Sequence, residues 1–278
     1  MDANNPQKET PLVSVIMGVY NGAQFLREAV ESVLCQTYDH FEFVICNDCS
    51  RDESEEILKE FARKDSRIIL LKNEKNMGLA ATLNRCLEVA KGELIARMDC
   101  DDRSLPNRFA DQVEWLCKHP QAVAVGMAVE FIDDSGAVFA RQNKEQDEFY
   151  TLKDVVRATP LVHPSTMIRR DALNAVGGYT VNALTTRAED YDLWCKLCEQ
   201  DSVVANMAVY GLQYREDQSN IVRRKYKYRI QEAKLKFYWM KRAQCMGKDY
   251  IYALKPLVVG LLPMSLYKQL HRKKISGK

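Results

Sequence analysis

The sequence predicts an α/β protein built around a mostly parallel sheet, and three observations lead there. Over the first hundred residues, short apolar runs, the first of them rich in β-branched side chains, alternate with helical patterns, the signature of parallel strands joined by helices. The 278 residues, 46% hydrophobic and 28% charged, suffice for one large domain or a core plus an appendage. Polar and acidic side chains stand at the ends of the apolar runs, where open sheets of this class bind their ligands.

Residues 12–17 form the first predicted strand, and Tyr20-Asn21-Gly22 leads into a helical pattern through Leu34. A second strand, residues 41–46, ends in Asn47-Asp48-Cys49-Ser50; a helix over 53–64 follows, with Ser50 or Asp52 as its N-cap. Residues 67–72 give a third strand, 76–90 a helix entered through Gly78, and 93–98 a fourth strand. Parallel pairing of these units brings Tyr20, Asp48 and Asp99 to one crevice. A helix over 108–117, a strand over 122–132, the turn at 133–136 and a strand over 162–168 complete the sheet. Residues 188–198 are helical and open on Glu189, Asp190 and Asp192, where negative charge suits a helix N-terminus.

Composition narrows the function classes. The first ten residues are polar and lack the basic start and apolar run of a secretory signal, which predicts a cytoplasmic, frayed N-terminus. Nine scattered cysteines, an odd number, fit a reducing compartment. Two pairs, Cys46/Cys49 and Cys195/Cys198, have the Cys-x-x-Cys spacing of zinc ligands, but the first straddles a strand end and the second lies in an apolar helical pattern, where buried free thiols are the plainer reading. No Gly-x-Gly-x-x-Gly or Walker-type loop follows the first strand, which argues against a dinucleotide oxidoreductase or a P-loop enzyme.

Charge is strongly uneven. Residues 221–278 hold 16 Lys/Arg against only Glu232 and Asp249, a net +14, whereas the rest of the chain is net −12. The composition changes beyond Asn220 to a basic, aromatic helical region that includes Arg223, Arg224, Tyr226, Arg229, Phe237 and Trp239. This predicts two parts, 1–220 and 221–278, the second facing an anionic surface: phospholipid headgroups, a diphosphate-linked substrate or nucleic acid. The acidic remainder argues against nucleic acid. The apolar run 257–262, bounded by Pro256 and Pro263, falls short of the roughly 20 residues that cross a bilayer, leaving a surface-lying or docking role. A solvated helical face accounts equally well for the basic residues.

Most informative chemically is Asp99-Cys-Asp101-Asp102, directly after a strand expected to be buried. Converging carboxylates there suit a hard cation such as Mg²⁺ or Mn²⁺, which keeps positions open for substrate phosphates. Taken alone, Asp101 and Asp102 also suit a turn or a helix cap.

Several motifs in order weigh on that choice. Val13-Ser-Val-Ile-Met-Gly-Val-Tyr-Asn-Gly22, Gln36-Thr-Tyr38, Glu42-Phe-Val-Ile-Cys-Asn-Asp-Cys-Ser50, Asn76-x-Gly78-Leu79, Arg97-Met-Asp99-Cys-Asp101-Asp102, His163-Pro-Ser165 and Glu189-Asp190-Tyr-Asp-Leu-Trp194 resemble the family 2 glycosyltransferases of the GT-A fold over about residues 12–215. Asn47 and Cys49 depart from the family's usual Asp and Gly, and Cys100 stands where Ala is common. A side chain at Cys49 resists the left-handed backbone that Gly accepts freely.

The resemblance implies a nucleotide-sugar half over about 12–105 and an acceptor half over about 106–220. It assigns donor binding to Val19, Tyr20, Asn21, Asp48, Arg97 and Asp99, the metal (Mn²⁺ or Mg²⁺) to Asp101, and the catalytic base to Asp190. His163 and Glu189 fall on the acceptor side, although a lone His is more often structural, and Trp194 reads as core. The implied reaction is inverting transfer of a hexose or N-acetylhexosamine from a UDP-sugar to a lipid-linked or oligosaccharide acceptor, at the inner face of a bacterial membrane. A non-catalytic nucleotide-sugar-binding scaffold is the alternative, against which retention of Asp99, Asp101 and Asp190 argues.

Overall fold

A computed structural model describes residues 10–142, 144–216 and 225–263. The expected frayed N-terminus, Arg223, Arg224 and the far end of the basic region lie outside them.

The chain runs β1 (Val13–Val19), α1 (Ala23–Leu34), β2 (Phe41–Asn47), α2 (Ser54–Lys64), β3 (Ile68–Lys72), α3 (Leu79–Val89), β4 (Leu94–Met98), β5 (Arg103–Ser104) and α4 (Arg108–Lys118). It continues through β6 (Ala122–Ile132), β7 (Val138–Arg141), β8 (Glu148–Tyr150), α5 (Leu152–Val155), a 3₁₀ turn (His163–Ser165), β9 (Met167–Arg169), α6 (Arg170–Ala175), α7 (Glu189–Glu199) and β10 (Val203–Arg215). Two further helices, α8 (Tyr226–Arg242) and α9 (Ile251–Leu261), flank a short 3₁₀ turn.

One sheet of ten strands results, with the path β3-β2-β1-β4-β9-β6-β10-β5. β1 pairs in parallel with β2 and β4, and β2 with β3, so the carboxyl ends of β1, β2 and β4 open on one edge. β9 is antiparallel to both β4 and β6 and joins this group to a second parallel pair, β6 and β10. Paired residues are mostly parallel in a sheet of mixed sense.

Alternation along β1 explains the layers. Val13, Val15 and Met17 face a core shared with Leu26, Val30 and Val33 of α1, Leu58 of α2 and Phe109 of α4. Ile16 faces the other side, where Leu83 of α3, Trp194 of α7 and Trp239 and Met240 of α8 pack. β4 is buried along its whole length, as strands covered by helices on both faces are.

Three expectations about local structure are corrected. The predicted strand over 162–168 is a 3₁₀ turn followed by the short β9, because Pro164 has no N–H to give a ladder. Neither Ser50 nor Asp52 is the N-cap of α2; that position is Glu53, while Asp52 accepts from Ser54 N at 3.1 Å across a local turn. Pro256 lies inside α9 rather than bounding an apolar run.

Candidate active site

At the end of β1, Asn21 takes a left-handed backbone (φ 52°), which Asn tolerates better than most residues. Its N–H donates to Ser50 Oγ (3.0 Å), and its Oδ1 accepts from Arg51 N (2.8 Å). Gly22 N donates to Ser54 Oγ and Ala23 N to Asp52 Oδ2, both at 3.0 Å, so the segment after β2 caps the start of α1. A Cβ on Gly22 would meet Cys100 Sγ at 2.7 Å, which ties this corner to the segment after β4. Tyr20 is left 47% exposed at the opening.

Asp48 points away from solvent. Its Oδ1 accepts from Asn73 Nδ2 (2.7 Å) and Met77 N (2.8 Å), and its Oδ2 from Gly78 N (2.9 Å). Cys49 follows at φ 60°, in the very region that a side chain resists.

The segment after β4 gathers carboxylates. One oxygen each from Asp99, Asp101 and Asp102 lie within 4.8 Å of one another, the sole such group of three among the described residues. Arg97, itself buried, places Nη1 2.5 Å from Asp99 Oδ2. Burial works against the Arg97 charge, but Asp99 more than offsets it, and the guanidinium stays protonated. Asp102 is buried; burial, then the Asp101 and Asp99 charges, push its carboxyl well above the usual range. Its Oδ1 accepts from Arg215 N (2.8 Å), while Oδ2 has no hydrogen-bond partner.

Arg215, the last residue of β10, locks this segment in place. Its side chain donates to Asp101 O (2.8 Å) and Asp133 O (2.6 Å), pairs with Glu28 (2.5 Å) and lies 4.0 Å over the Phe25 ring. These contacts join the end of β6, the start of α1 and the acidic cluster.

On the facing wall, His163 Nε2 lies 2.8 Å from Tyr179 Oη, and the ring meets Trp194 edge-on. Burial, then the Arg97 charge, hold the imidazole well below its ordinary pKa, so it is neutral. Trp194 is fully buried core. Glu189 and Asp190 open α7. Burial pushes both carboxyls above the ordinary range, with Asp190 adding to the effect on Glu189 and the Tyr191 N–H partly countering it at Asp190.

These walls enclose a cleft of about 780 Å³. Tyr20, Asn21, Arg97, Asp99, Asp101, His163, Glu189 and Asp190 all line it; Val19 and Asp48 do not. Two arginines missing from the sequence-derived set, Arg187 and Arg215, line it as well. Arg187 stands two residues before the acidic pair, a proximity that could have flagged it, whereas Arg215 carries no local signal. Cys46 and Cys49 lie at the end of β2, Cys195 and Cys198 on α7, and all four thiols are free.

The model of the Glycosyl transferase family 2 matches residues 14–177. The chain belongs to this family. EpsE of Bacillus subtilis (strain 168) is 36% identical over 95% of each chain. A UDP-Glc:alpha-D-GlcNAc-diphosphoundecaprenol beta-1,3-glucosyltransferase, WfaP of Escherichia coli, is 26% identical over 80% of this chain and 84% of its own. Among solved structures, S. aureus TarS 1-349 in complex with UDP-GlcNAc gives a TM-score of 0.68 at 17% identity, over 89% of this chain and 72% of its own. Mannosyltransferase PcManGT of Pyrobaculum calidifontis, in complex with GDP-Man and Mn²⁺, gives 0.61 at 19% identity, over 95% and 80%. The glycosyltransferase therefore has the GT-A fold, and as a family 2 enzyme it draws its sugar from a nucleotide-sugar donor.

Proposed function

We propose that the protein moves a hexose or N-acetylhexosamine from a UDP-sugar, with inversion, to a hydroxyl of a lipid-linked oligosaccharide during bacterial polysaccharide assembly. The observation that carries this reading is the meeting, in one cleft, of a carboxylate cluster after β4 and a pair of carboxyls with raised pKa at the start of α7.

The residues present fit a hard divalent cation: the donors are all carboxylate oxygens, and one buried oxygen of Asp102 is unpartnered. Asp101 is the main ligand for Mn²⁺ or Mg²⁺. What such an ion supplies is positive charge against the departing diphosphate. Asp99, held by Arg97, contacts the ribose or donor sugar, and Tyr20 and Asn21 border the nucleotide. Val19 and Asp48 serve the donor indirectly, by shaping the backbone beneath it, since neither lines the cleft.

Asp190 accepts the proton of the acceptor hydroxyl as that oxygen bonds the anomeric carbon. The bond from that carbon to the diphosphate oxygen breaks, and UDP leaves with the electron pair. A raised pKa suits a base working near neutral pH better than an ordinary aspartate would. The UDP-GlcNAc complex of TarS and the undecaprenyl-diphosphate substrate in the name of WfaP support the choice of donor and acceptor. The basic 221–278 region supports a peripheral position at the inner face of the cell membrane. No helix among the described residues is long and apolar enough to cross it.

The test is nucleoside diphosphate release from UDP-, GDP- and dTDP-sugars with Mn²⁺, with and without membrane lipid extract. Asp101→Ala and Asp190→Asn variants, shown to be folded, run alongside. Release from one UDP-sugar, stimulated by extract and lost in both variants and with chelator, is expected. Release from a GDP- or dTDP-sugar alone overturns the donor, and full activity in either variant overturns its role.

A further inference from the structure

Helix α9 is split cleanly into two faces. Ala253 and Pro256 are buried, and Gly260 sits where a Cβ would come within 3.0 Å of the Tyr226 ring, so this side packs on α8. On the other side Ile251, Leu254, Val258 and Leu261 are 68%, 44%, 60% and 72% exposed. Their spacing of three, four and three residues sets them in one stripe along the helix. Met246, ahead of the 3₁₀ turn that leads into the helix, is 71% exposed, and Tyr252 is half-exposed. Soluble surfaces do not usually carry so continuous an apolar row.

The charge around the stripe says what covers it. Glu232 is paired with Arg229 of the same helix, and Asp249 is buried against Arg157, which follows α5, so both acids of the region already have cationic partners. Lys227, Lys234, Lys241, Lys248 and Lys255 are exposed. Lys255 lies one turn after Ile251 and borders the stripe, and Lys248 precedes it. An apolar row edged by lysines, on a helix of about 16 Å, matches an element that lies in the headgroup layer rather than one that spans.

We infer that α9 is a membrane-docking helix that sinks Ile251, Leu254, Val258 and Leu261 into an anionic phospholipid bilayer while Lys248 and Lys255 meet its phosphates. The inference rests on the reading that the acceptor is lipid-linked, which gives docking its purpose. Docking through α9 would hold the enzyme at the surface that carries a lipid-borne acceptor.

The experiment is co-sedimentation of the full chain with vesicles of phosphatidylcholine, with and without phosphatidylglycerol. Three proteins are compared: the parent, Val258→Asp/Leu261→Asp, and Lys248→Ala/Lys255→Ala. All the changed positions are exposed, so folding is expected to survive, and thermal melts check it. The parent is expected to bind the phosphatidylglycerol vesicles, the aspartate variant to lose binding at least tenfold, and the alanine variant to weaken about 30-fold, from about 1 kcal/mol per lysine.

Equal binding by the parent and the aspartate variant overturns the inference. So does an absence of vesicle binding together with self-association that the aspartate changes abolish, which makes the stripe an interface between copies. Sugar transfer to a detergent-solubilised lipid extract is measured in parallel. Transfer without vesicle binding sinks the docking helix and leaves the proposed reaction standing. Variant-sensitive binding without transfer upholds the helix and sinks the reaction.

Discussion

Trp239 Nε1 donates a 2.8 Å hydrogen bond to Asp192 Oδ1, joining α8 to the first turn of α7 with both side chains buried. Asp192 lies two residues beyond Asp190, and Lys236 of α8 sits 4.3 Å from the neighbouring Tyr191 ring. The basic C-terminal helix thus braces the turn that carries the proposed base. Trp239→Phe keeps most of the packing and removes the donor, leaving Asp192, whose Oδ2 already lacks a partner, without either bond. A loss of about 1–3 kcal/mol is expected in urea denaturation. An unchanged midpoint counts against the brace.

As the proposed base, Asp190 would connect stability and activity with opposite signs. Burial raises its carboxyl pKa in the folded chain, so the folded state holds that proton more tightly than the unfolded state does. Stability from this group is full below the ordinary aspartate value and falls as pH rises from there to the folded value. At neutral pH, above the ordinary aspartate value, that penalty is present. Asp190→Asn removes it, so the variant is expected to melt higher than the parent at neutral pH while transfer falls about 10²- to 10⁴-fold. The parent's kcat/KM should rise with pH along a limb whose midpoint lies above the ordinary aspartate range. A variant that melts lower, or a limb at the ordinary value, contradicts the assignment.

Backbone strain is separable from crowding at two positions of the donor side. Gly78 has φ 83° and ψ 160°, with open space where a Cβ would stand, so Gly78→Ala costs backbone energy alone, about 1–3 kcal/mol. Cys49 pays part of that kind of cost already at φ 60°. Cys49→Gly relieves about 1–2 kcal/mol of left-handed strain against about 0.5–1 kcal/mol of added chain entropy, and a net gain of roughly 0.5–1 kcal/mol is expected. Denaturant titrations of both variants check the pair. Destabilisation by Cys49→Gly would show that the thiol's contact with Glu74 O outweighs the strain.

The elements legible in the sequence are those with local signals. The first four strands announced themselves by short apolar runs between helical patterns, and the acidic corners by their place just after them. What was illegible depends on distant partners. Asp48 reads as a ligand contact from its position after β2, yet both its oxygens accept from residues at least 25 positions away, and it is not among the residues that line the cleft. Arg215 is 113 positions from Asp102 and holds the acidic segment through contacts that only the pairing of β5 with β10 creates. Strand direction was hidden for the same reason: β9 inserts antiparallel between β4 and β6, and a short apolar run carries no sign of its orientation.

Metal affinity can be read without any sugar nucleotide. Carboxylate oxygens of Asp99, Asp101 and Asp102 within 4.8 Å of one another repel, and a divalent ion that binds the folded cluster shifts the unfolding equilibrium toward the native state. At a hundredfold excess over its dissociation constant, Mn²⁺ should add about 2.7 kcal/mol, or roughly 5–10 °C in Tm. Asp101→Ala should abolish most of that shift. Val258→Asp/Leu261→Asp, far along the chain on α9, should keep it and so controls for non-specific ion effects. A shift of equal size in the Asp101→Ala protein would place the ion elsewhere, and the roles of Asp101 and Asp99 would have to be exchanged or abandoned.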